Sequence, residues 1–121
     1  MMSEGFKNWE PLLDLSMARL PGKRGECSAA YAMRDASTGE ILKFGHAGCL
    51  RTRIIGNYLA GLGGGTSQRI HRELIYNNLI DRVEVSWAET KDSAEAEQKE
   101  KQFRANYKTT HGRRPMWDRL D

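Results

Sequence analysis

Glu100 stands where a charge is expensive. Ala96, Glu100, Phe103 and Tyr107 recur at intervals of four, three and four, which is one stripe of a helix. Phe103 and Tyr107 mark that stripe as core-facing, while Glu95, Glu97, Lys99 and Lys101 fall off it, where charges are solvated. A carboxylate on a buried stripe must be paired, with a metal ion or with an arginine at the core edge. Both readings stay open from the pattern alone.

A second irregularity lies in a predicted hairpin, with extended runs at 28–34 and 40–45 around the turn-rich Asp35-Ala36-Ser37-Thr38-Gly39. If the turn centres on Ser37, Tyr31 faces Lys43, Met33 faces Ile41 and Ala30 faces Phe44. One face then carries Ala30, Ala32, Leu42 and Phe44 as core, and the other carries Ala29, Tyr31, Met33, Ile41, Lys43 and Gly45. Tyr31 and Lys43 become cross-strand neighbours, with Cβ atoms roughly 5 Å apart. They are a half-exposed surface pair, or an ammonium that favours the phenolate and lowers the tyrosine pKa. The second would make Tyr31 a proton acceptor. Arg53, near the start of the helix after the hairpin, lies close to where the Tyr31 face ends.

The elements that must position these groups follow from periodicity. Residues 6–18 predict a short amphipathic helix carrying Phe6, Trp9, Leu12, Leu13 and Met17, ended by the loop Pro21-Gly22-Lys23-Arg24-Gly25. Helical spacing returns with Ile54, Ile55, Tyr58, Leu59 and Leu62. The cluster Gly61-Leu62-Gly63-Gly64-Gly65 is a helix–helix connection or a backbone cradle for a phosphate, without the lysine and spacing of a Walker loop. Thr66 or Ser67 would cap the next helix, with Ile70, Leu74, Ile75 and Leu79 on one face. Val83, Val85 and Trp87 alternate with Glu84, Ser86 and Ala88 as a strand. Thr90, Asp92 and Ser93 start a last helix of about 15 residues, and Pro115 and Trp117 dock the tail onto the domain. The order predicts an α/β (α+β) domain with a small, mostly antiparallel sheet. Residues 1–24 form a helix-and-loop extension and 25–121 the domain proper.

Size and charge narrow the function classes. A chain of 121 residues, 39% hydrophobic and 29% charged, suits one globular domain. No apolar run approaches the roughly 20 residues of a membrane span, and no signal peptide is visible, so no membrane partner and a cytoplasmic location are expected. Cys27 and Cys49 flank the hairpin but have no metal-ligand spacing, and His46, His71 and His111 are scattered. The net charge of +3 is mild. Basic residues gather at Lys23-Arg24, Arg51-Arg53, Arg69-Arg72 and Arg113-Arg114, which fits a polyanionic partner or a solvated surface.

At these residues the chain resembles the GIY-YIG nuclease family, whose mark is two short motifs on adjacent strands, then an arginine, then a glutamate in a later helix. Ala29-Ala30-Tyr31 stands for the first motif and Lys43-Phe44-Gly45 for the second. Leu50-Arg51-Thr52-Arg53-Ile54 resembles the arginine-bearing helix, Glu95-Ala96-Glu97-Gln98-Lys99-Glu100 the late glutamate segment, and Pro115-Met116-Trp117-Asp118 the closing one. The resemblance covers about residues 25–118 and rests on order, spacing and element type rather than on the tripeptides.

The resemblance implies a three-stranded antiparallel sheet flanked by helices and hydrolysis of a DNA phosphodiester with one divalent metal, Mg²⁺ or Mn²⁺. Tyr31 would be the general base or orient the attacking water, Arg53 would neutralise phosphoryl charge, and Glu100 would hold the ion. Lys43 replaces the second tyrosine, Asn57 stands where a histidine is frequent, and Asp118 replaces an asparagine and could add a metal oxygen. Arg51, Arg69, Arg72 and His46 would contact DNA. These departures leave two alternatives: a nucleic-acid-binding module that no longer cuts, and a protein-interaction domain. So small a nuclease would need a homodimer, a partner domain or a structural feature of its DNA for specificity.

Overall fold

The computed structural model describes residues 8–14, 28–115 and 117. The fold is mixed α+β, built on a four-stranded antiparallel sheet in the order β1-β4-β2-β3. The strands are β1 (Glu10–Pro11), β2 (Ala29–Asp35), β3 (Ile41–Ala47) and β4 (Val83–Glu89). Helical segments are a short helix Thr52–Leu59, α1 (Thr66–Tyr76) and α2 (Ser93–His111). The sheet therefore has four strands rather than the expected three. Within the predicted helix 6–18, the described residues instead form β1 and a 3₁₀ turn, Leu12–Asp14. Pro11 explains this: it has no N–H for a helix interior but is tolerated on an edge strand, where it pairs with Glu84. The rest of the 1–24 extension and Cys27 lie outside the described residues.

Both faces of the sheet are covered, which the alternating pattern had not required. One core joins Tyr31, Met33, Leu42, Val83 and Val85 to Ile54, Tyr58, Ile70, Leu74 and Trp117. The other joins Ala32, Ile41 and Phe44 to Tyr107 and Phe103 of α2. Hence α1 and α2 sit on opposite faces, and the buried Trp117 docks the tail as expected. Leu42 and Ile41 exchange the faces anticipated for them. A bulge between Met33 and Arg34 interrupts the ladder, so Arg34 pairs with Ile41 and strict alternation fails there.

Local chemistry ends each element. The hairpin turns on Asp35, whose Oδ1 accepts from the Ser37 amide at 2.9 Å and hydroxyl at 2.6 Å. These bonds hold its carboxyl below its usual range. Asp92 caps α2 by accepting from the Glu95 amide at 2.8 Å, Glu95 reaches back to the Lys91 amide at 2.9 Å, and Gly112 closes the helix at φ 75°. By contrast the cap position of α1 is Gly65, one residue before the expected Thr66 or Ser67. Of the expected α1 stripe, Ile70 and Leu74 are buried, Ile75 is exposed and Leu79 lies beyond the helix.

The helix Thr52–Leu59 is wound with i→i+5 bonds; the Ala60 amide reaches the Ile55 carbonyl at 3.0 Å. Such a helix completes its turn about one residue later than an α-helix. Tyr58, five residues beyond Arg53, is the residue of this helix whose hydroxyl meets Tyr31.

Candidate active site at the end of the central hairpin

The register of β2 and β3 differs from the expected one by two residues. Tyr31 pairs with Gly45, Ala32 with Phe44 and Met33 with Lys43. Lys43 is thus a half-buried diagonal neighbour of Tyr31 rather than its direct partner. A two-residue slip leaves every side chain on its own face, so hydrophobic patterning cannot detect it. What selects it is contact. The ring of Tyr31 lies over Gly45 so closely that a Cβ at position 45 would stand 2.9 Å from Tyr31 Cε1 and nearer still to Cζ and the hydroxyl.

Lying there, the Tyr31 hydroxyl bonds the Tyr58 hydroxyl, and the two rings meet edge to face at 6.2 Å. Arg53 completes the cluster: its guanidinium lies close enough to both tyrosines to interact with them electrostatically, and Nη1 donates to the His46 carbonyl at 3.2 Å. Tyr31 is fully enclosed. Burial pushes its phenol well above the usual value and Tyr58 adds to this, while Arg53 pulls the other way. Lys43 is not among the groups that move it. The expected lowering of the Tyr31 pKa by Lys43 is therefore reversed, and the phenol is neutral at ordinary pH. For Arg53, burial favours the uncharged form, but the two tyrosines outweigh it and the guanidinium stays charged.

Glu100 occupies the buried stripe as expected, at 8% exposure. Its Oε1 bonds His46 Nδ1, and its Oε2 accepts from Arg104 Nη2 at 2.5 Å. The ion pair open at the sequence level thus exists, one turn along α2. Arg104 was not singled out from sequence, although an arginine four residues after a buried glutamate was a usable signal. His46 ties the two clusters together. Its carbonyl serves Arg53 beneath one face of the sheet and its ring serves Glu100 on the other. As a DNA contact His46 is therefore committed to Glu100 first, with its side chain one-third exposed.

The remaining expected residues disperse. Arg69 and Arg72 are exposed on α1, across the sheet from Glu100, and Arg51 is half-buried before the short helix. Asn57 packs against the glycine loop, where a Cβ on Gly63 would come within 3.0 Å of its Cγ. That loop is a connection more than a phosphate cradle: Gln68 Nε2 takes the Gly61 carbonyl and, at 2.7 Å, the Gly63 carbonyl. Asp118 lies outside the described residues.

Glu100 is the carboxylate that the sequence reading assigned to a hard cation, and its two oxygens meet His46 and Arg104. Mg²⁺ is commonly held by one or two carboxylates, the rest of its shell being water and substrate phosphate. Glu100 offers such a carboxylate, and among the described residues no cluster of three or more His, Cys, Asp or Glu offers a fuller cage. No described helix is long and apolar enough to cross a membrane. Compared with protein-family models, curated proteins and solved structures, the chain matches none.

Proposed function

We propose that this chain is a metal-dependent endonuclease acting on DNA phosphodiesters in the manner of the GIY-YIG nucleases. The observation that carries the reading is the held guanidinium of Arg53. The Tyr31 and Tyr58 hydroxyls and the His46 carbonyl surround a charged, half-buried Arg53 at the end of β3, where the side chain of the same His46 meets Glu100 on the other face of the sheet. A guanidinium oriented before substrate arrives costs no reorganisation when charge builds on a phosphoryl oxygen.

Each residue then has a part. Arg53 takes the phosphoryl oxygens. Tyr31 and Tyr58 hold Arg53, because an enclosed neutral phenol is a poor proton acceptor. Glu100 would hold the ion, which when bound supplies Lewis-acid stabilisation of the phosphate. His46 is the group with both access and a carboxylate to orient it, so it would be the proton acceptor. Lys43 is left to touch the substrate backbone.

A second reading has its own observation: both oxygens of Glu100 are already engaged, by His46 and Arg104. On that reading the chain binds nucleic acid and does not cut it. Nicking of supercoiled plasmid in Mn²⁺ or Mg²⁺ decides between them. The nuclease reading expects cleavage that falls by on the order of 10²–10³ in Arg53→Ala and is abolished in Glu100→Gln, both variants staying folded. Cleavage that survives either substitution defeats the mechanism, and no cleavage with any divalent ion favours the second reading.

A further inference from the structure

On the outer side of α2 a groove of about 290 Å³ is lined by Lys101, Arg104, Ala105, Lys108 and Arg114. Four of its five lining residues are cations and none is an acid. Lys101, Arg104, Ala105 and Lys108 follow one another at the i, i+3, i+4, i+7 spacing of a single helix face. The wider segment is as one-sided. From Lys99 to Arg114 stand Lys99, Lys101, Arg104, Lys108, Arg113 and Arg114 against the single acid Glu100. This charge is the side chains' own, since a helix C-terminus by itself disfavours anions.

Ion pairs on this face cancel it only in part. Lys101 meets Glu97 at 3.7 Å, but both are well exposed, where such pairs are weak and salt-screened. Arg113 turns away to Glu40 at 3.6 Å, while Arg104 is shared with Glu100 and, at 3.3 Å, with the Phe44 carbonyl. Arg104 therefore joins the groove to the site.

We infer that this groove carries the phosphate backbone of the nucleic acid as it leaves the site, held by Lys101, Arg104, Lys108 and Arg114. Seven residues of helix separate Lys101 from Lys108, roughly 10 Å, room for more than one phosphate of a strand whose charges repeat every ~3.4 Å along a duplex axis. One small anion would satisfy only part of such a row. Ala105 is the one uncharged lining residue, and cations set around it suit a backbone crossing without base readout. The inference rests on the proposed nuclease function for its choice of nucleic acid over other polyanions. It differs from the sequence expectation, which placed DNA on Arg51, Arg69, Arg72 and His46.

The test is fluorescence anisotropy of a labelled 20-base oligonucleotide, single-stranded and duplex, in EDTA across a salt series. The proteins compared are the full chain, the pair Lys101→Glu/Lys108→Glu, and the matched pair Arg69→Glu/Arg72→Glu. The α2 pair is expected to weaken binding at least about tenfold and to flatten the log–log salt slope by about 2, near 0.9 for each phosphate no longer neutralised. The α1 pair, with the same change in net charge, is expected to do less. Equal losses in the two pairs, no loss in the α2 pair, or no binding by the full chain at low salt overturns the proposal. So does tighter binding to phosphatidylserine vesicles than to the oligonucleotide. If circular dichroism finds the α2 reversal unfolded, Lys101→Gln/Lys108→Gln replaces it with the same ordering expected. Because binding is read without metal, a groove that binds while no metal supports cleavage rejects the nuclease reading and keeps the groove. Cleavage with binding indifferent to both pairs does the reverse.

Discussion

Tyr31 and Gly45 form one cross-strand unit, in which the ring of the first occupies the space that any side chain at the second would need. The ring is fully buried and cannot swing aside. Gly45→Ala should therefore destabilise the protein by about 1–3 kcal/mol through overpacking, seen as a lowered thermal midpoint. Tyr31→Leu in the same background should recover part of the loss, because it removes the atoms that clash. Additive effects of the two substitutions would show that the glycine serves only its backbone.

Tyr31 should be silent in the neutral pH range. Its phenol is raised above the ordinary value in the folded chain, so between the unfolded and folded pKa values the unfolded chain binds fewer protons. Stability then falls as pH rises above about 10, and the contribution is complete below that. Thermal midpoints measured from pH 7 to 11 should decline less steeply at the alkaline end in Tyr31→Phe than in the unmodified chain. By the same logic Lys43→Met should leave the pH–rate profile of cleavage in place. A profile displaced to higher pH would restore Lys43 as the activator of Tyr31.

Tyr58 and Asn57 should separate cleanly. The i→i+5 winding of Thr52–Leu59 turns Tyr58 onto Tyr31 and Arg53, and leaves Asn57 against the glycine loop. Tyr58→Phe is expected to slow cleavage on the order of tenfold, equivalent to roughly 1.4 kcal/mol of lost positioning, while Asn57→Ala changes the rate little. The reverse order would mean that the helix rewinds to α geometry when substrate is bound.

Gln68 should matter to the loop and not to the chemistry. Its side-chain amide donates to the carbonyls of both Gly61 and Gly63. Gln68→Ala should cost about 1–2 kcal/mol and speed amide exchange across residues 61–65, with cleavage nearly unchanged. Exchange that stays slow would show the loop to be held by other means.

The contrast between what the sequence disclosed and what it withheld has a physical cause. Glu100 was visible because a charge on an apolar stripe breaks a period of 3.6, and β4 because its alternation is clean. The turn at Asp35 was visible from its residue types. The pairing of Tyr31 with Gly45 was not, since a slip of two residues keeps every face and so leaves the pattern unchanged. The exchange of Ile41 and Leu42 was hidden by a bulge, which no alternation rule encodes. Tyr58 was counted as core, which it is, but its hydroxyl contact with Tyr31 is a tertiary fact that helical spacing does not encode. His46 and Arg104 were missed as partners of Glu100 because the meeting of β3 with α2 is a tertiary fact.

The order β1-β4-β2-β3 leaves β3 at the rim of the sheet, where a row of backbone carbonyls invites a stray strand to add itself. Two alternate carbonyls of that rim, Phe44 and His46, are already taken by Arg104 and Arg53. The guanidiniums proposed for a phosphate therefore also occupy the rim. Losing either one would uncover the rim, so a population of Arg53→Ala that clumps on concentration would be reporting an opened sheet as much as a missing charge.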